Sequence, residues 1–167
     1  MPVKTPKEMF VQLLSDVRQN NEKATKIYEE IGQIAREPEV KEALEARAFA
    51  SQQILAKLDE CFRLIGEKPV KSDSRLYDAF VEDFRKELAM IEAPAVKKLF
   101  VLAKLRHLAH FRMGEYVALT EAADVAGHHG VGVLLETCLA DKLAFAERTR
   151  RLLRHVVEHR IAERAGA

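Results

Sequence analysis

Four long helical periodicities run through this chain, and each is broken near its middle by polar residues. The pattern fits a helical bundle with a polar layer inside its core. The clearest stripe is Leu102, Leu105, Ala109, Arg112, Tyr116 and Leu119, which recur at steps of three and four and share one helix face. Its arginine lies where its neighbours mark the interior. Comparable stripes carry Asn20 or Asn21, Arg47 with Ser51, and Asp141. Polar residues at similar depth on four helices point to one shared cluster.

Local signals delimit the helices. Thr5-Pro6-Lys7-Glu8 is a capping box with proline at the first helical position, so helix 1 starts there and carries Phe10, Leu14, Val17, Ala24, Ile27, Tyr28, Ile31 and Ile34 inward. Glu37-Pro38 ends it and opens helix 2, whose inward positions include Val40, Leu44, Arg47, Ile54, Leu58, Cys61 and Phe62; Gly66 supplies a left-handed residue after its last turn. The polar connection 66–75 is the natural crossover, and Asp73 or Ser74 caps a shorter helix 3 from about Leu76 to Ile91, with Leu76, Phe80, Phe84, Leu88 and Ile91 apolar. Pro94 opens helix 4, which stops at Gly127. His128-His129-Gly130 forms the turn, and helix 5 runs from about Val131 into the tail, with Leu134, Leu135, Cys138, Asp141, Phe145, Leu152, Val156 and Ile161 inward. Four helices of about 30 residues would each span on the order of 45 Å. Two short turns make two antiparallel hairpins, and one long connection with an extra helix joins them. The expected fold is therefore all-α, a ferritin-like four-helix bundle with a crossover helix, five helices in one domain over residues 1–167.

Composition excludes more than it assigns. With 27 basic against 26 acidic side chains, the overall charge favours neither nucleic acid nor acidic lipid. Cys61 and Cys138 lie on apolar helix faces and read as buried thiols of a reducing compartment, so a cytoplasmic location is expected. No apolar run reaches the ~18 residues of a membrane span, and no targeting signal or strand pattern is seen.

The segment Glu37-Pro38-Glu39-Val40-Lys41-Glu42-Ala43-Leu44-Glu45, together with Leu58-Asp59-Glu60-Cys61-Phe62-Arg63-Leu64-Ile65-Gly66-Glu67-Lys68-Pro69, resembles the bacterial YciE/YciF-type ferritin-like domain of unknown function. Tyr116 and Leu119 before Gly127, and Leu134-Leu135-Glu136-Thr137, extend the resemblance over almost the whole chain. It implies a homodimer of five-helix chains with a carboxylate-rich metal centre and a stress-associated role. This chain departs from the family at that centre. Where the family's fourth helix reads Glu-His-Tyr-Glu, this one has Ala109-His110-Phe111-Arg112. Family ligand positions coincide in helix 2 with Arg47, Phe49 and Ala50, in helix 1 with Asn21, and in helix 5 with Thr137. The acidic and imidazole groups left near that depth are Asp16, Glu45, His110 and Asp141.

Two unit positive charges about 5 Å apart repel by roughly 3 kcal/mol at an effective dielectric of 20, and a divalent ion doubles this. A pocket facing Arg47 and Arg112 should repel a metal. The sequence reading is thus a non-enzymatic protein without cofactor, whose vestigial polar centre consists of Asp16, Asn21, Glu45, Arg47, His110, Arg112 and Asp141. The alternative is an atypical iron or other divalent-metal site. Phe49, Ile54, Phe111 or Met113 should fill the space around the polar residues. Arg112 should be held by Asp141, Asp16 or Glu45, because a buried arginine demands a carboxylate partner.

Other signals read more simply as structure. Arg47 and Arg112 could also snorkel to solvent along a broad stripe. His107 and His110, three apart, lack an acidic neighbour. His155 and His159 flank Glu158 in an order unlike HExxH. His128 and His129 sit at a helix end, where the dipole favours them. The basic run Arg148 to Arg154 is diluted by Glu147 and Glu158 and has no aromatic interleaving for base stacking, so nucleic acid is set aside as a partner. No Ser/His/Asp or Cys/His grouping falls on one face.

Overall fold

The computed structural model describes residues 3–35 and 38–165, with side chains as far as residue 158. It contains α1 (Pro6–Ile34), α2 (Pro38–Ile65), α3 (Leu76–Ala89), α4 (Pro94–Val125) and α5 (His129–Ala165). The Thr5 hydroxyl accepts from the Glu8 N–H at 3.2 Å, and the Glu8 carboxylate accepts from the Thr5 N–H at 3.0 Å, so α1 begins at its capping box. Gly66 (φ 69°) and Gly127 (φ 80°) adopt the left-handed conformation that a β-carbon disfavours. Past Gly127, the His128 N–H returns to the Ala123 carbonyl at 2.8 Å, the wrap that closes a helix C-terminus.

Side-chain pairs fix the topology. Going up α1 and down α2, Lys7 meets Glu67, Arg18 meets Asp59 and Asn21 meets Ser51, an antiparallel hairpin. Helices α4 and α5 form the second hairpin, and Phe10 with His128 and Asn20 with Glu115 lay α4 antiparallel to α1. Lys57 with Asp141 and Arg148 with Glu42 do the same for α2 and α5. Helix α3 runs parallel to α1 along its outside, tied by Lys23–Asp78 and Arg85–Glu30 and to α4 by Lys104–Glu87.

The core is two apolar layers. One is built on Phe10, Leu14, Leu58, Leu119 and Leu135 at the end where α4 turns into α5, and the other on Tyr28, Leu44, Tyr77, Phe84 and Leu105 where α3 packs. Between them lies a slab of buried polar groups.

Several expectations need correction. Helix α3 ends at Ala89 and has no side-chain cap from Asp73 or Ser74. Leu76 is exposed and Tyr77 is buried instead, because Tyr77, not Leu76, lies at helical spacing with Phe80, Phe84 and Leu88, which pack against the core as expected. Helix α5 starts at His129, two residues earlier than Val131. Ile34 is exposed at the end of α1, and Phe49, expected as core filler, is 65% exposed. Ile54 is buried, and Phe111 and Met113 pack partly buried against the core. Glu37 and the side chains of His159 and Ile161 lie outside the described residues. Among the described residues no helix is long and apolar enough to cross a membrane.

Candidate functional site

The slab between the layers is built by one polar residue or pair from each long helix. Helix α1 contributes Asn20 and Asn21, α2 contributes Arg47 and Ser51, α4 contributes Arg112 and Glu115, and α5 contributes Lys142. Each basic side chain sits where the helical phase demands an apolar one: Arg112 is 0%, Lys142 2% and Arg47 3% exposed. The snorkelling alternative for Arg47 and Arg112 is therefore overturned.

Arg112 Nη1 pairs with Glu115 one turn along α4, and its Nη2 lies 3.5 Å from Asn21 Oδ1. Asn20 Nδ2 donates to the other Glu115 oxygen at 2.7 Å, and Asn21 Nδ2 donates to the Ser51 carbonyl at 2.7 Å. Lys142 Nζ reaches the same Asn21 Oδ1 at 3.4 Å. The two cations thus share one neutral acceptor at the long limit of hydrogen bonding, where such bonds are weak. They also share an aromatic face, with Arg112 5.7 Å and Lys142 5.0 Å from the centroid of Tyr116. Arg47 is wedged between rings, 5.6 Å from the centroid of Tyr28 and 5.3 Å from that of Phe145. Such contacts return only part of the hydration an arginine gives up.

The electrostatics follow from this geometry. Burial, with Arg112 and Arg47 nearby, pushes the Lys142 ammonium well below its ordinary range. Burial raises the Glu115 carboxyl, against the pull of Arg112, Asn20 and Lys142. Burial likewise raises the Tyr116 hydroxyl. Arg47 Nε and Nη2, Arg112 Nε, Ser51 Oγ and the Tyr77 and Tyr116 hydroxyls have no hydrogen-bond partner among the described residues.

Of the residues singled out from sequence, Asn21, Arg47 and Arg112 meet in this centre. Asp16 instead accepts from Gln12 on its own helix, Glu45 and His110 face solvent, and Asp141 turns outward to Lys57. The expected pairing of Arg112 with Asp141, Asp16 or Glu45 is wrong: its carboxylate is Glu115. A guanidinium reaches an acid on the next turn of its own helix more readily than one across the bundle. The two residues missed, Glu115 and Lys142, each left a trace. Glu115 stands three residues from Arg112, and Lys142 is seven residues from both Leu135 and Thr149, which are buried. That heptad spacing sets the phase of α5 one residue beyond Asp141.

The ferritin-type fold would place a di-metal centre among the four long helices. The donor set here does not fit one. Three basic side chains face a single carboxylate, and no group of three or more His, Cys, Asp or Glu residues suited to a metal occurs among the described residues. Burial also works against thiolate formation at both cysteines, pushing the Cys61 thiol up to about 12 and raising that of Cys138.

Comparison with known proteins agrees with the fold. The model of the domain of unknown function DUF892 matches residues 5–162. The E. coli stress protein YciF superposes with a TM-score of 0.88 at 17% identity, covering 93% of this chain and 99% of that one. YcfI from Rhodopseudomonas palustris gives 0.85 at 19% identity over 89% and 94%, and a protein from Xanthomonas campestris gives 0.73 at 20% over 98% and 100%. At these identities the likeness carries the fold alone. No curated protein matches significantly. With the family model spanning residues 5–162 and a five-helix bundle superposable on YciF, the chain has a ferritin-like helical fold and belongs to the DUF892 family.

Proposed function

We propose that this chain is a non-enzymatic member of its family, in which a buried ionic network stands where a ferritin-type di-metal centre would lie. The observation that carries this reading is the charge inside the bundle. Among the described residues, Arg47, Arg112 and Lys142 are buried against Glu115 alone, and a divalent cation among them would meet repulsion of roughly 6–7 kcal/mol from each unit charge about 5 Å away at an effective dielectric of 20. The protein then acts as a structural or interaction component in the cytoplasm, as a homodimer. A stress-associated role is supported by the resemblance to YciF, itself described as a stress protein. Elemental analysis of protein purified without chelator tests the reading. The expected result is substoichiometric iron, manganese and zinc; one or two equivalents per chain, lost on Glu115→Gln, would overturn it in favour of an atypical metal site. Sedimentation of the same preparation should give the mass of a dimer.

A further inference from the structure

The buried centre carries more positive charge and more hydrogen-bond donors than its own residues can use. Against one carboxylate stand two guanidiniums and an amine. The orphaned atoms beside them can all donate: three N–H positions of Arg47 and Arg112, which cannot accept, and the hydroxyls of Ser51, Tyr77 and Tyr116, which can do either. A buried group without a partner costs on the order of 1–3 kcal/mol, more when charged, and the natural complement to a surplus of donors and positive charge is an acceptor with negative charge.

We propose that the polar centre takes up a small monovalent anion of halide size, held between Arg47 of α2, Arg112 of α4 and Lys142 of α5. Size follows from packing: each of the three is at most 3% exposed, and two of them crowd the same asparagine oxygen and the same tyrosine ring, which excludes an organic or polyvalent ion and restricts the occupant to a single small one. Specificity follows from charge, because Asn21 already offers its oxygen to both Arg112 and Lys142 and, among the described residues, no second carboxylate faces them. The anion plays the counter-charge role here that cationic metal plays among carboxylates. The inference rests on the reading that this centre is metal-free.

The test uses the intact wild-type chain with chloride and bromide as probes. Thermal midpoints are compared in chloride and in gluconate, which is too large to enter, at equal ionic strength. A midpoint higher by about 3 °C in about 100 mM chloride is expected, as is its loss in Arg47→Met, where an apolar side chain of similar length keeps the packing. Crystals grown in bromide and measured at its absorption edge decide the location. An anomalous peak in contact with Arg47 and Lys142 is the expected result. Bromide confined to the surface, an adventitious ion only, overturns the proposal whatever the salt dependence. Stoichiometric metal in the elemental analysis would defeat the proposed function itself, whereas metal-free protein without interior bromide removes only the anion.

Discussion

The same arrangement of charge occurs twice in this protein, once in water and once in the core. On the surface of α5, Arg150 and Arg151 share Glu147, with N···O distances of 2.7 and 3.1 Å. In the interior, Arg112 pairs with Glu115 while Lys142 and Arg47 lie close by. At the surface the neighbouring arginines hold the Glu147 carboxyl down at about 2, whereas burial drives that of Glu115 upward despite an arginine in contact. Pairing is similar and the outcome opposite, so solvation decides. A surface glutamate adds little by being charged. In the interior, a carboxylate is what makes the guanidinium tolerable.

The largest expected effect comes from removing the acid in each place. Glu115→Gln leaves the buried cations without a counter-charge and should destabilise the fold by about 3–5 kcal/mol in urea unfolding, while Glu147→Gln should leave the midpoint unmoved. Equal effects would mean that the interior is wetter than its burial indicates. Next is Arg112→Ala, expected to cost about 3 kcal/mol, because Glu115 loses its buried counter-charge and a cavity remains; Arg112→Met should cost clearly less, since methionine fills that volume while the freed carboxyl can take up a proton. An alanine variant as stable as wild type would remove Arg112 from the account of the core.

The smallest effect has the opposite sign. In chloride-free buffer Lys142→Met should stabilise the protein by about 1 kcal/mol at neutral pH, seen as a rise of about 2–4 °C in thermal midpoint. The folded-state pKa of Lys142 lies below its ordinary 10.5. Between those values the unfolded chain binds a proton that the folded chain does not, so wild-type stability rises with pH across that window and is lost as pH falls through it. The methionine variant should show a flatter alkaline limb. An unchanged slope would mean that the amine reaches solvent in the folded state.

Much of the architecture is local and so was written in the chain. Helix starts at Thr5 and Pro94 and stops at Gly66 and Gly127 depend on capping chemistry within a few residues, and the stripe from Leu102 to Leu119 needs only the helical period. Asn21, Arg47 and Arg112 were legible for the same reason, as polar residues in phase with apolar neighbours. The resemblance carried by helix 2 supplied the family. Single positions were misplaced where periodic cues were weak: Leu76 for Tyr77 at the start of α3, and Asp141 for Lys142 on α5. On a helix one residue is about 100° of rotation, enough to exchange a core position for solvent.

The sequence by itself therefore determined five helices, their order, two hairpins and the presence of charge inside the bundle. Only the tertiary structure decided which charges those are and what they meet. Periodicity places a side chain on a face but says nothing of its reach. Arg112 takes Glu115 from its own helix rather than an acid across the bundle, Asp141 turns out to Lys57, and Lys142 turns in toward Asn21. Those choices follow from the rotation of four helices packed together, a property of no single helix.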